Sequence, residues 1–395
     1  MTARLTRLLG DFDLAEDLVQ EAIISALEHW PRDGIPEVPA AWLLTVAKRK
    51  GLDRLRRATR YREKLALLEG EAARTAVDPA EVRSGVMATT DTDDRLELIF
   101  TCCHPALSRE AQVALTLRSV AGLTTPEIAR AFLIPEATLA QRIVRAKRKV
   151  VDAGITFRAP EPRELTERLA EVLAVLYLVF NEGYLSSGPE RAARRDLAED
   201  AEWLASLVVR LLPQEAEAIG LLALMRLHQA RAATRFDAGG RIVLLKEQDR
   251  SRWDRAQIRS AVELLERAAT MKRPGPYQLQ AAIAAVHAEA PSWDSTDWPQ
   301  ILRLYDALLA ASAGSPVVRL NRAIALRQVA GPEHALREVD AIAADLDRYH
   351  LLHATRAELL RDLGRADEAR EADRRALELT DNPAERALLE ERIAR

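Results

Sequence analysis

Residues 122–149, GLTTPEIARAFLIPEATLAQRIVRAKRK, admit few folds other than two helices joined by a tight turn. Thr124 or Thr125 caps the first helix, with Pro126 in its first turn and Glu127 near the positive end of its dipole. Ile128, Ala129 and Phe132 supply its apolar face. Leu133 and Ile134 form the turn, and Pro135 opens a second helix where its missing N–H costs nothing. Along that helix Leu139, Ile143, Ala146 and Val150 recur at three- and four-residue spacing, which sends them to a core. The remaining faces carry Arg142, Arg145, Lys147, Arg148 and Lys149 against Glu136, a net charge of +4. One apolar stripe on an otherwise cationic helix after a tight turn suits the DNA major groove better than a merely solvated surface.

Composition places the rest of the chain in the all-α class. Of 395 residues only 5% are aromatic, Ala, Leu, Arg and Glu dominate, and no long β-branched run appears. A length of 395 implies two to four domains. The net charge of −3 conceals segregation. Residues 11–28 hold six acids and no base, residues 42–64 nine Lys or Arg against two acids, and residues 65–94 seven acids against two Arg. Such blocks suit one face for nucleic acid and another for a basic protein surface. Residues 1–159 sum to +2 and residues 160–395 to −5, so DNA binding belongs to the first part. Cys102 and Cys103 are the two cysteines; adjacent thiols rarely bridge, and a reducing cytoplasm is expected. No 18-residue apolar span occurs, so no membrane contact is expected.

Four segments are expected. Residues 1–60 form a compact unit. Leu14, Leu18, Ile23 and Leu27 edge an acidic helix ending at Pro31. A second helix, from about Ala40 to Arg60, buries Trp42, Leu43, Val46, Ala47, Leu52 and Leu55, with Gly51 interrupting it. Residues 61–93 are an acidic, partly helical tether, and residues 94–155 hold the helix-turn-helix. Residues 160–395 form a helical extension. It opens with a helix over Leu165–Phe180 that closes at Asn181-Glu182-Gly183 with Gly183 left-handed. Helices follow at about 190–212 and 214–233, then a small hairpin around Gly239-Gly240. Near the C-terminus Arg322-Ala323, Leu326 and Ala335 return as Arg356-Ala357, Leu360 and Ala369, each 34 residues on. Small residues at those places let antiparallel helices approach, and 34 residues is the period of tetratricopeptide units, expected at about 316–382 with an irregular copy at 277–311.

FDLAEDLVQEAIISAL at 12–27, AWLLTVAKRKGLDRLRR at 41–57 and LTTPEIARAFLIPEATLAQRIVRAKRK at 123–149 together resemble regions two and four of bacterial extracytoplasmic-function sigma factors. TCCHPAL at 101–107, LYLVFNEGY at 176–184 and QDRSRWD at 248–254 resemble the subgroup with a tetratricopeptide-like C-terminal extension. The resemblance implies a non-enzymatic, cytoplasmic specificity subunit of core RNA polymerase that directs initiation at promoter DNA, with no cofactor and no metal. It assigns Asp13, Glu16, Asp17, Gln20 and Glu21 to docking on a basic coiled coil of the polymerase. Lys48, Arg49, Lys50, Arg54, Arg56 and Arg57 fall to the element about ten bases upstream of the start. Glu136, Thr138, Gln141, Arg142, Arg145 and Lys147 fall to the element about 35 bases upstream. Departures are Arg49 where the family commonly has Asn, Pro135 in place of a capping Ser, and a start within the first family helix. The extension is expected to regulate the factor in cis and to meet a regulatory protein at its repeats.

The other constellations are weaker. Cys102-Cys103-His104 lacks further ligands at zinc spacing and reads as core. Asp249 and Asp254 flank Trp253 without a base or nucleophile, and no phosphate loop or serine elbow occurs. The competing function is a one-component regulator whose extension binds a ligand; such a protein has no use for the paired acidic and basic helices of residues 11–57.

Overall fold

The computed structural model describes residues 1–394 apart from 10, 70–93, 133, 159 and 186–190. The described residues form α-helices and short helical turns with no strand, as the composition requires. They divide into two compact units, Met1–Val175 and Leu176–Arg395. The division expected near residue 160 falls instead inside one helix, because that helix begins packed on the first unit.

In the first unit α1 (Thr2–Leu9) precedes α2 (Phe12–Asp33), whose N-cap Asp11 accepts from the Leu14 amide at 3.0 Å. Phe12, Ala15, Leu18, Ala22, Ser25 and Ala26 face inward at helical spacing. The helix passes through Pro31 rather than stopping there and ends at Gly34, with φ +84°. Ile23 and Leu27, expected at its apolar edge, stand outside; Leu27 is 71% exposed. α3 (Pro39–Glu69) is longer than expected and takes in the start of the acidic tether, whose residues 70–93 lie outside the described residues. Ala47 is buried in the α1–α2–α3 core with Leu5, Ala15, Leu18 and Ala22. Fully buried Leu5 and Leu18 each contribute about 2 kcal/mol of transfer free energy there. Trp42 is only half-buried, edge-to-face with Trp30 at 5.6 Å. Gly51 does not interrupt α3. It is the point of close approach, where a Cβ would stand 2.9 Å from Leu18 Cδ1.

α4 (Asp94–Cys102) and α5 (Arg109–Thr116) run into a π-helical turn, Leu117–Ala121, closed by Gly122 at φ +84°. α6 (Thr125–Ala131) and α7 (Glu136–Asp152) follow. Thr124 and Glu127 form a reciprocal cap: the Thr124 amide donates to Glu127 Oε2 at 2.7 Å and the Glu127 amide to Thr124 Oγ1 at 3.4 Å. Leu139, Ile143, Ala146 and Val150 are buried, as their spacing dictates. Cys102 and Cys103 are buried beneath, Cys103 Sγ 3.4 Å from Thr116 Oγ1. α8 (Pro162–Leu185) starts on this unit: Arg109 pairs with Glu171 at 2.9 Å, and Arg168 donates to the Phe100 carbonyl at 2.6 Å. It continues through Gly183, which is not left-handed; Tyr184 stacks on Phe180 from within the helix.

The second unit continues with α9 (Arg191–Leu211), α10 (Ala216–Gln229), α11 (Arg255–Thr270) and α12 (Pro276–Glu289). The hairpin around Gly239-Gly240 shrinks to a single bridge, Phe236 to Ile242, beside a turn with Gly240 at φ +79°. Asp249 and Asp254 prove to be caps, accepting from the amides of Ser251 and of Ala256 and Gln257. Between them, buried Arg250 donates to the carbonyls of His287 and Ala290 at 2.8 and 2.9 Å, closing the C-terminal end of α12.

α13 (Trp298–Ala311), α14 (Pro316–Ala330), α15 (Pro332–Ala341), α16 (His350–Asp362), α17 (Ala366–Glu378) and α18 (Pro383–Ala394) complete it. α14–α15 and α16–α17 are helical hairpins in the predicted 34-residue register. Ala323, Ala335, Ala357 and Ala369 are all fully buried where the helices cross. The register extends to ion pairs: Arg322 Nε reaches Asp306 Oδ1 at 2.6 Å, and Arg356 Nε reaches Asp340 Oδ1 at 2.8 Å.

Gly220 marks the tightest crossing, since a Cβ there would lie 2.7 Å from the Gln278 amide nitrogen and 2.9 Å from its Cα. Backbone cannot yield as a side-chain tip can. Gly220→Ala is expected to destabilise the second unit by about 2 kcal/mol, despite alanine's better helix propensity. Gly51→Ala, meeting only leucine methyls, should stay within about 1 kcal/mol of wild type; chemical denaturation of the two variants compares them.

Candidate polymerase and nucleic-acid interface

The acidic face of α2 is less isolated than its sequence suggests. Asp13, Asp17 and Gln20 are exposed, while Glu16 and Glu21 are half-buried. No base lies within residues 11–28, yet four cations converge from other elements. Lys147 Nζ of α7 lies 2.8 Å from Asp13 Oδ1 and 3.2 Å from Glu16 Oε2. The π turn directs Arg118 so that it reaches Glu16 at 3.6 Å and donates to the Leu123 carbonyl at 3.1 Å. From α3, Lys50 stands 3.5 Å from Glu21 and donates to Ser25 Oγ at 3.0 Å, and Arg54 pairs with Glu21 and with Asp17, the latter at 3.7 Å. The acids of residues 11–28, without a base in their own segment, are thus neutralised by residues distant in sequence.

Lys147 changes role as a result. It is 7% exposed, on the inward side of α7 beside Ala146 and Val150, and its ammonium sits 6.0 Å from the Phe12 ring. It does not belong to the outward cationic face in this arrangement. Two carboxylates compensate its burial; removing them would strand a charge at low dielectric. Of the remaining α7 candidates, Glu136, Thr138, Gln141 and Arg145 are exposed and Arg142 is half-exposed. They lie within the first ten residues of the helix, toward the end that enters a groove in helix-turn-helix proteins. Pro135 occupies the N-cap with no side-chain bond, which leaves the first amides of α7 open to an acceptor.

On α3, Lys48 and Arg49 have no acidic partner among the described residues, whereas Lys50 and Arg54 are committed to α2. The side chains of Arg56 and Arg57 lie outside the described residues. Sequence reasoning missed a further element of α2. Asp13, Asp17, Gln20, Ile24 and Leu27 fall at steps of four, three, four and three, one continuous stripe. Ile24 is 55% exposed and Leu27 71%. The stripe runs from acid to apolar, and in its second half the sequence alone places Leu27 in the core and leaves Ile24 unassigned. The thiols behind α7 play no part in this surface. Burial, with each thiol's neighbours secondary, raises Cys102 well above its ordinary value and pushes Cys103 to about 12.

Comparison with known proteins identifies the family of these helices. Sigma-70 region 2 matches residues 2–61 and Sigma-70 region 4 matches residues 97–150, so α1–α3 and α4–α7 are the two halves of a sigma-type protein. The ECF RNA polymerase sigma factor SigL of Mycobacterium tuberculosis (strain ATCC 25618 / H37Rv) is 32% identical over 155 residues, covering 38% of this chain and 82% of SigL. The chain belongs to the ECF sigma factor family. SigI of the same strain, a probable ECF sigma factor, is 32% identical over 153 residues, or 50% of its own length. An uncharacterised protein of Rhizobium meliloti (strain 1021), R00370, is 45% identical over 392 residues, 98% of this chain and 90% of its own. Residues 168–269 match a family of unknown function, DUF6596. Among the described residues, no helix is long and apolar enough to cross a membrane.

Two outcomes follow from the buried charges and thiols. Lys147→Glu should lower the stability of the first unit by about 2–3 kcal/mol, and Glu16→Lys in the same chain should recover a good part of it; thermal unfolding of the single and double variants measures the recovery. Both thiols stay protonated when folded. Their contribution to stability is full below the ordinary thiol value of 9.0 and is lost as pH rises through each raised value, about 12 for Cys103. Ellman's reagent at pH 8 should accordingly find both cysteines unreactive in native protein and reactive in guanidinium.

Proposed function

We propose that this chain docks on core RNA polymerase through the α2 stripe and directs initiation at promoters read by α3 and α7, with the helical extension acting in cis. One observation carries the reading: the carboxylates assigned to the polymerase are held by cations of the chain's own α7, π turn and α3. A surface that gathers lysine and arginine within ion-pair distance is suited to a basic partner, and the partner must replace those cations one for one. Ile24 and Leu27 supply the apolar half of the same surface, where burial against a helical partner adds affinity.

Closure and promoter reading exclude each other. Elements about ten and about 35 bases upstream stand roughly 85 Å apart at 3.4 Å per base pair, whereas α2 and α7 share an ion-pair cluster. The unit must open when it engages both. Opening exposes the Lys147 ammonium as a further cation on α7, which restores it to the DNA-facing set only in the bound state. The residues 61–93 then serve as the tether. Lys48 and Arg49 meet phosphates of the opened strand, and Glu136, Thr138, Gln141, Arg142 and Arg145 meet the upstream duplex.

We read the 34-residue hairpins as tetratricopeptide-like units that regulate initiation and present a surface to a regulatory protein. Run-off transcription with core polymerase tests the whole. Ile24→Asp with Leu27→Asp is expected to weaken polymerase binding more than ten-fold with no loss in melting temperature, since both side chains are exposed; unchanged binding would remove α2 from the interface. A chain ending at residue 175 should differ from the full chain at least three-fold in transcript yield. Equal yields would deny the extension a role in cis.

A further inference from the structure

The second unit holds a partly open cavity of about 400 Å³ between α8, α10, α12, α13 and α14. Its volume falls in the range that holds small organic molecules. Tyr177, Trp253 and Tyr305 give it aromatic walls, and Leu224, Ile283 and Val318 aliphatic ones. Its polar members are Arg231, His228, His287, Gln280 and Asn321, and among the described residues no carboxylate lines it.

Gln280 donates to the Pro276 carbonyl at 3.2 Å, whereas Arg231 and the two histidines keep polar atoms that the fold does not use. The Arg231 guanidinium has no ion pair or side-chain hydrogen bond among the described residues, unlike Arg226 five residues earlier, which is held by Glu202 at 3.0 Å and Ser260 at 2.7 Å. Nδ1 of His228 and Nδ1 of His287 are both buried without a hydrogen-bond partner. Burial, with the Arg231 charge second, drives His228 well below its ordinary value and His287 to about 4. Both rings are thus neutral near pH 7, leaving Arg231 as the cavity's one cation among the described residues. A larger groove of about 500 Å³ beside the repeats differs in kind. Its arginines are matched, Arg327 by Glu358 at 2.9 Å and Asp362 at 2.5 Å, and Arg241 by Asp237 at 2.8 Å. Carboxylates of the fold already satisfy those guanidinium groups, which leaves Lys246 as the groove's unpaired cation among the described residues.

We infer that the cavity is a binding site for a small aromatic or bulky apolar carboxylate, its carboxylate paired with Arg231 and its body against Tyr177, Trp253 and Tyr305. The unmatched cation demands an anion, the volume and lining demand an apolar body, and a planar guanidinium favours a carboxylate held through two parallel hydrogen bonds. The inference goes beyond the sigma reading and does not depend on it.

Displacement of the fluorescent anion 8-anilinonaphthalene-1-sulfonate from the full chain tests it, with biphenyl-4-carboxylate and the uncharged 4-biphenylmethanol as competitors. The dye should bind saturably at one site, and the carboxylate should displace it at least ten-fold more effectively than the alcohol. In Arg231→Gln that preference should vanish while the alcohol's own affinity stays within two-fold. Ala284→Trp, which fills the cavity, should abolish displacement by both. Should that variant fail to fold, the carboxylate-to-alcohol ratio in Arg231→Gln still decides. No saturable binding, a preference that survives Arg231→Gln, or equal loss of both competitors in that variant would overturn the assignment.

Discussion

The first unit depends on one buried ammonium. Lys147 lies on the inward side of α7, and Asp13 and Glu16 of α2 compensate it across 134 and 131 residues of chain. Because an uncompensated charge there is costly, α2 and α7 hold one another in place. Arg118 reinforces the pairing from the π turn, and Lys50 and Arg54 do the same for the far end of α2 from α3. The same carboxylates thus serve closure and, in the function proposed, polymerase docking. The joint combines these charges with the apolar packing of Phe12 on Phe157, and a basic partner can compete for its charged part.

Small residues set the geometry around these charges. Gly51 lets α3 lie close against Leu18, and Gly220 lets α10 meet the backbone of α12. In the repeats alanine does this work at four 34-residue positions, and the paired Asp306–Arg322 and Asp340–Arg356 bridges keep the same register on the surface. The extension is accordingly ordered by periodic close approach, while the cavity sits upstream of the regular hairpins.

Much of this was legible in residues alone, and the reasons are local. The inward positions of α7 follow from helical spacing, the cap on α6 from Thr124 and Glu127, and the hairpins from recurring alanines. What escaped was non-local. Lys147 looks like its basic neighbours until its distant partners are known. Leu27 looks like core because it is apolar, although Ala22, Ser25 and Ala26 already fill the inward face. Gly51 and Gly183 look like breaks, yet tertiary packing carries both helices through them. The family was recognisable because order and spacing of three motifs agree at once; the cavity left no motif, being assembled from five helices.

In the function proposed, closure between α2 and α7 is the resting arrangement, and polymerase with promoter DNA opens it. Energy transfer between dyes at Glu37→Cys and Val151→Cys, both exposed positions in a chain whose native thiols are buried, measures it directly. High transfer in the free chain that collapses on adding core polymerase and promoter, in step with transcript formation, is the predicted result. High transfer persisting in a complex that is actively initiating would show that the two helices stay closed during initiation.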